Sequence, residues 1–324
     1  MRKTRERYGS SFGVLVCAGC AGAPAGVPLD FRVGDLQEYA TVFAAPEVSG
    51  RKSPAVLVLH GGFDGDDDDT ERIGRLLERS GVLAVAPTYR GEKRRLDDQT
   101  SDGRVEVCSG EVDDVQSLLR VVRARPDVDP DRLGLIGLSH GGCIALRAAE
   151  RDPALRAVVS IAGPSELGYT ERYLHARPFG WWGLASLIHA RVKGAVGADA
   201  IEDPAAYRAR SPLYGLDTLR QPLVLVQGTD DPIVPLAETC ATREGLYERG
   251  RPVVDRYFKD DGTPDPMPKP RCPPLTGAPA ASPPAGLPFE VWYFEGQGHG
   301  FTGGARASAL GRAAAFLVRA LTSP

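Results

Sequence analysis

From residue 38 onward the chain alternates short, nearly unbroken apolar runs with longer stretches whose apolar positions recur at helical spacing. The runs Tyr39–Ala44, Ala55–His60, Val82–Ala86, Leu133–Leu138, Ala157–Ile161, Leu223–Gln227 and Phe289–Phe294 read as strands, and Val253–Phe258 has the same pattern as the last of them. Continuous hydrophobicity, as in Val56-Leu57-Val58-Leu59, suits a strand covered on both faces, which is the situation inside a parallel sheet. Helical patterns occupy residues 70–80, 111–125, 141–151, 235–249 and 304–321, with Thr70 and Ser139 at expected starts and Gly81 and Gly250 at expected ends. Strand and helix in alternation predict an α/β fold, a mostly parallel central sheet with helices on both faces.

Two segments break the alternation. Residues 163–215 carry Tyr169, Tyr173, Phe179, Trp181 and Trp182 among small residues with no strand pattern, and are expected to form a cap over the carboxyl edge of the sheet. Residues 259–288 are rich in Pro, Gly and Ala and read as an extended surface loop, because proline serves neither a helix interior nor a central strand. No repeat of solenoid or propeller type is found.

Composition narrows the class. A formal net charge of −3, with 42% apolar and 25% charged residues, excludes a disordered chain and gives no support to a nucleic-acid partner. The first residues hold Arg2, Lys3, Arg5 and Arg7, then no charge other than Glu6 until Asp30, with a short apolar stretch around Phe12 and Val14-Leu15-Val16. That pattern predicts a secretory leader rather than a membrane span, hence residues 1–30 as leader and linker and 31–324 as the folded domain, in an exported protein. Cys20, in Cys17-Ala18-Gly19-Cys20, is an alternative lipid acceptor that would attach the chain to a membrane, whereas Ala23-Pro24-Ala25 offers an ordinary cleavage site. Cys108, Cys143, Cys240 and Cys272 remain, without the spacing of a zinc site, so no metal is expected. Export permits up to two disulfides; Cys240 with Cys272 is the first pair to test, because Cys272 lies in the Pro-rich excursion, and free buried thiols are the alternative.

The candidate chemistry begins at Gly137-Leu138-Ser139-His140-Gly141, a G-x-S-x-G pentapeptide between an expected strand and an expected helix. A turn that tight needs glycines two before and two after the serine, and it presents the hydroxyl at a helix N-terminus; the alternative is a plain helix cap. A serine hydroxyl is a weak nucleophile until a base takes its proton and a carboxylate orients that base. Of five histidines, His299 lies in a glycine-lined loop after the strand Phe289–Phe294, while His60, His140, His175 and His189 precede the expected acid. Asp231, after the strand Leu223–Gln227, is the chosen acid, with Asp230 the alternative. Backbone N–H groups of Gly62, in His60-Gly61-Gly62-Phe63, and of His140 are candidate oxyanion donors. Phe63, Tyr89, Trp181 and Trp182 are candidates for a substrate pocket. His60 is expected to hold its loop rather than to react, and the acidic run Asp66–Asp69 reads as solvated surface beside a helix start.

These residues carry a resemblance. His60-Gly61-Gly62, Tyr89-Arg90-Gly91, Gly110-Glu111-Val112-Asp113-Asp114-Val115, the Ser139 pentapeptide, Asp203-Pro204 with Tyr207 and Ser211-Pro212, Gly228 with Asp231 and Val234-Pro235, and Gly298-His299-Gly300-Phe301 resemble, in order, the catalytic domain of prolyl oligopeptidase family serine peptidases. Dienelactone-hydrolase-like esterases share several of them. The resemblance implies an α/β-hydrolase fold with Ser139, Asp231 and His299 as triad and no cofactor. Family peptidases carry a β-propeller before this domain, and the stretch before Tyr39 is too short to be one. Where prolyl oligopeptidase has an oxyanion-binding tyrosine before the two glycines, this chain has His60, as do acylaminoacyl-peptidase-like members; dienelactone hydrolase proper has cysteine where this chain has Ser139.

The expected function is therefore hydrolysis of a small ester, amide or short-peptide substrate through an acyl-enzyme, with a lean toward carboxylic esters, whose leaving groups need less protonation. Peptidase action on small or acylated peptides is the alternative, and acyl transfer uses the same residues. A non-catalytic binding protein on this scaffold is the reading of another class, and its mark would be loss of a triad residue.

Overall fold

The computed structural model describes residues 26–43, 52–176, 183–276 and 289–323. The leader expected over residues 1–30 lies almost wholly outside the described residues, together with Cys17, Cys20, Trp181, Trp182 and the end of the Pro-rich excursion. Strand β1 (Val27–Val33) begins before the domain boundary expected at residue 31 and pairs antiparallel with β2 (Leu36–Phe43). The remaining strands are β3 (Ser53–Leu59), β4 (Leu83–Thr88), β5 (Val128–Leu138), β6 (Ala157–Ile161), β7 (Leu223–Gly228), β8 (Val253–Phe258) and β9 (Phe289–Phe294). They form one nine-stranded sheet in the order β1-β2-β4-β3-β5-β6-β7-β9-β8. The pairings from β4 across to β8 are parallel, and the β1–β2 and β2–β4 pairings are antiparallel.

Helices cover both faces of this sheet. On one side α1 (Asp68–Arg79) and α8 (Gly303–Thr322) bury Ile73, Leu77, Leu310 and Leu317 against the side chains of Val56, Val58, Ile136 and Val224. On the other, α2 (Gly110–Arg123), α3 (His140–Arg151) and α7 (Leu236–Glu248) bury Val115, Leu119, Ile144 and Leu246 against Leu57, Leu59, Leu135 and Leu225. The period of two in a strand sends adjacent residues to opposite cores, which is why both parities of β3 are apolar. Each fully buried leucine or isoleucine contributes roughly 1.5–3 kcal/mol.

Helix starts differ in detail from expectation. α1 begins at Asp68, with Asp67 as its cap accepting the Thr70 N–H at 2.9 Å; Thr70 sits inside the first turn and its hydroxyl donates to the same carboxylate. Gly81 and Gly250 follow the ends of α1 and α7 with φ of +78° and +79°. Between β6 and β7 the chain forms α4 (Leu167–His175), α5 (Leu184–Val196) and α6 (Pro204–Arg210), helices that the sequence pattern left undrawn inside the expected cap.

The Pro-rich excursion starts at the end of β8 and doubles back along it: Asp265 N–H donates to the Tyr257 carbonyl at 2.9 Å, and Pro264 bridges Phe258. Cys272 is bonded to Cys240 of α7, the expected pair. Cys108 and Cys143 form a second disulfide. Among the described residues no helix is long and apolar enough to cross a membrane.

Candidate active site

Ser139 closes β5 and opens α3 with φ +50° and ψ −117°, a strained conformation for a residue with a side chain. Its N–H donates to the Ile161 carbonyl of β6 at 2.8 Å, which fixes the turn to the neighbouring strand. The glycines around it are required by space. A Cβ on Gly137 would lie 2.0 Å from the Gly141 carbonyl oxygen, and one on Gly141 would lie 2.2 Å from that of Leu59.

Three side chains from three sheet-edge loops converge there. His299 Nε2 is 2.8 Å from Ser139 Oγ, and His299 Nδ1 is 2.9 Å from Asp231 Oδ2. Asp231 is buried and its carboxylate also accepts the N–H groups of Ile233 and Val234, both at 2.9 Å, and the Gln227 side-chain amide at 3.1 Å. A carboxylate so surrounded by donors accepts from His299 as well, so Nδ1 carries the ring proton and Nε2 presents a lone pair to the serine hydroxyl. The other acid considered, Asp230, accepts from Thr229 and does not face His299.

The loop after β3 lies beside Ser139: a Cβ on Gly61 would be 3.1 Å from Ser139 Cβ, and Gly62 has φ +72°. Each glycine carbonyl of this loop meets a buried imidazole. His60 Nδ1 is 2.9 Å from the Gly61 oxygen and His140 Nδ1 is 3.1 Å from the Gly62 oxygen. His60 is held from behind by Glu92, 2.9 Å away and equally buried. Burial pulls the His60 pKa down, but the Glu92 carboxylate outweighs it and the net shift is upward; burial moves His140 the other way, below its ordinary value. His60 thus holds its loop, as expected.

Tyr89 departs from expectation. It is fully buried behind this loop, its ring 4.3 Å from that of His60 and its hydroxyl donating to the His60 carbonyl at 3.4 Å, so it backs the loop rather than lining a substrate pocket. Phe63 does line the site. It stands between a cavity of about 370 Å³, walled by Gly62, Ser139, Leu187, His299 and Phe301 with Asp64, Arg191 and Arg306 around it, and an apolar recess of about 50 Å³ formed by Val107, Leu174, Ile188, Val192, Ile233 and Val234. The acidic run is spent on structure: Asp67 caps α1, Asp69 pairs with Arg306 at 2.7 Å, and Asp66 accepts the Arg95 N–H at 3.0 Å. Trp181 and Trp182 lie outside the described residues.

The support behind the site escaped the sequence. Glu111, buried at the start of α2, accepts the backbone N–H groups of Glu106, Val107 and Ser109, while Asp114 takes the Arg90 guanidinium at 2.6 Å. The signal was present in Tyr89-Arg90-Gly91 and Gly110-Glu111-Val112-Asp113-Asp114, of which Arg90 and Asp114 pair with each other across the chain instead of facing substrate.

Sheet order, two helical layers and a serine on a strained strand-to-helix turn define an α/β-hydrolase. Residues 73–262 match the family model described as the prolyl oligopeptidase family, which is more than half of the chain and includes Ser139 and Asp231. The chain belongs to the prolyl oligopeptidase family, and with it to the serine-type peptidases and hydrolases. It is 26% identical over 192 residues to the uncharacterized peptidase YtmA of Bacillus subtilis, a match covering 58% of this chain and 67% of that one. Among solved structures it is similar to the acylaminoacyl peptidase of Pyrococcus horikoshii, with TM-score 0.63, 18% identity and coverage of 91% of this chain but 41% of that chain. It is also similar to the Pyrococcus furiosus esterase Pf2001, with TM-score 0.59, 17% identity and coverage of 91% and 93%.

Proposed function

We propose that this chain is a serine hydrolase that cleaves the amide bond of short or acylated peptides through Ser139, His299 and Asp231. The observation that carries the reading is the continuous hydrogen-bonded run from Ser139 Oγ through His299 to Asp231, set on a strained elbow. Ser139 Oγ attacks the acyl carbon as its proton passes to His299 Nε2, and Asp231 steadies the imidazolium. The negative charge gathering on the carbonyl oxygen meets the N–H groups of Gly62 and His140 and the N-terminus of α3. His299 then gives the proton to the departing amine, and a water deprotonated by the same nitrogen releases the acid from Ser139. The recess, apolar beyond Ser139 and His140 but for Thr170 and the Glu171–His189 pair, whose polar groups meet each other, suits an uncharged side chain or acyl group, and the larger, charge-rimmed cavity suits the rest of the substrate. Helices α4 and α5, as part of a cap, supply Leu174, Ile188 and Val192 to that recess.

Ester hydrolysis is the second reading, favoured by the likeness to an esterase of nearly the same extent. Fluorophosphonate treatment followed by mass spectrometry is expected to label Ser139, and an unlabelled folded protein overturns both readings. Parallel kcat/KM values on N-acyl-aminoacyl p-nitroanilides and short acyl p-nitrophenyl esters separate them: activity on esters alone selects the second. Export belongs to the proposal too, and N-terminal sequencing of the mature protein tests it.

A further inference from the structure

His140 stands directly after Ser139, and its imidazole is bonded at both nitrogens to backbone. The Cys108 N–H reaches Nε2 at 3.1 Å, and Nδ1 is 3.1 Å from the Gly62 carbonyl. A backbone N–H can only donate, so Nε2 must accept; the single proton of a neutral ring then sits on Nδ1 and is donated to Gly62. The side chain of one candidate oxyanion donor therefore holds the carbonyl on the far side of the Cα of the other, while His60 holds the Gly61 carbonyl of the peptide that carries the Gly62 N–H. Gly62, at φ +72°, has the conformational freedom of glycine, and a loop built on it needs an outside hold if its N–H is to stay aimed at one point.

The anchor behind His140 is itself built with care. Val107 and Cys108 both have positive φ, +57° and +53°, which is costly for residues with side chains and above all for a β-branched one. Three of the four N–H groups in Glu106–Ser109 are taken by Glu111, and the fourth, from Cys108, goes to His140. Cys108 is also bonded to Cys143, which lies in the first turn of α3 with its N–H on the Ser139 carbonyl at 3.2 Å. The strained turn and the helix that carries the nucleophile are thus one covalent unit, with the His140 ring packed between them against Phe63, 5.1 Å between ring centres, and Tyr89.

We propose that the His140 imidazole is a positioning residue of the oxyanion hole, fixed as its Nδ1–H tautomer by the Cys108 turn and acting through the Gly62 carbonyl, and that the Cys108–Cys143 disulfide maintains it. The proposal rests on the reading of Ser139 as nucleophile and Gly62 and His140 as oxyanion donors. His140→Phe keeps the aromatic packing and the backbone N–H but loses both ring hydrogen bonds. It is expected to lower kcat about 10- to 100-fold with KM within about threefold, the pattern of an interaction made in the transition state. His140→Asn, whose amide nitrogen can reach the Gly62 carbonyl as Nδ1 does, is expected to recover kcat to within about fivefold of wild type. The double variant Cys108→Ser with Cys143→Ser is expected to lose about 3- to 10-fold in kcat, again with KM little changed. Nitrogen-15 NMR of the wild-type protein, labelled in histidine, is expected to show a buried ring protonated at Nδ1 alone that His140→Asn removes. Wild-type kcat in His140→Phe, equal losses in Phe and Asn variants, or a His140 ring protonated at Nε2 each overturn the proposal, and the NMR result decides even where His140→Phe does not fold. A wild-type protein that neither turns over nor labels at Ser139 overturns the functional reading instead, and does so before any His140 variant is compared.

Discussion

A single methyl group is enough to test the elbow. With 2.2 Å available between a Cβ at Gly141 and the Leu59 carbonyl oxygen, Gly141→Ala forces α3 away from β3, and the loss is expected to reach about 3 kcal/mol or more, read as a fall in chemical-denaturation midpoint or failure to fold. Buried charge offers a second test. Glu38 is fully buried against Asp114, and burial, then the Asp114 charge, pushes its pKa far above the usual carboxylate range. Two carboxylates can bond only if one is protonated, so the folded chain keeps on Glu38 a proton that the unfolded chain releases once pH passes the ordinary carboxyl value. Stability from this group is therefore present at low pH and lost as pH rises toward its folded pKa. Glu38→Gln needs no such proton, and its thermal stability relative to wild type is expected to climb between pH 5 and pH 9, by on the order of 1–3 kcal/mol at the alkaline end. A difference that is flat with pH contradicts the assignment of the proton.

At the scale of elements, caps and straps set stability apart from chemistry. Asp67→Ala removes the α1 cap and is expected to cost about 1 kcal/mol, visible as a small drop in Tm. Cys240→Ser with Cys272→Ser frees the excursion from α7 and is expected to cost about 2–4 kcal/mol in denaturant titration while leaving kcat intact, since neither residue lines either cavity. The elements that the sequence made plain are those whose surroundings are uniform. β3, β6 and β7 are buried on both faces and carry almost nothing but apolar residues, so composition alone exposes them. β1 was missed because at the sheet's edge only Phe31 turns fully inward, among Asp30, Arg32 and other exposed positions that read as linker. α4 to α6 were missed because they touch the core through a few residues each, Leu174, Ala185 and Tyr207, too sparse to impose a helical period.

Over the whole molecule, the site was more legible than its foundations. Ser139, Asp231 and His299 each follow a strand, in loops whose glycines and prolines announce tight turns, and chain order assigns each a part. Glu92, Glu111 and Cys108 bear on the same centre, yet sequence gives no cue that ties Glu92 to His60 or Cys108 to His140, because those contacts exist only once β4 has come to lie beside β3 and α2 beside α3. Local pattern reports what a residue's own segment needs, and long-range partners are set by topology. Tyr89 shows the same effect in reverse: an aromatic next to a motif suggested substrate contact, and the fold assigned it to backing a loop.

The bridge between α7 and the excursion has one more consequence, for what happens when the backbone is cut. Asp231 precedes Cys272 and His299 follows it, so a protease that nicks the chain between Asp260 and Arg271 separates the acid and the histidine onto two polypeptides, yet Cys240–Cys272 keeps those polypeptides a single molecule. β9, inserted between β7 and β8, is gripped by the sheet on both sides, and nothing in the cut segment touches Ser139. Such a nicked form is expected to run as one band without reductant and as two with it, and to turn over substrate at the rate of the intact chain.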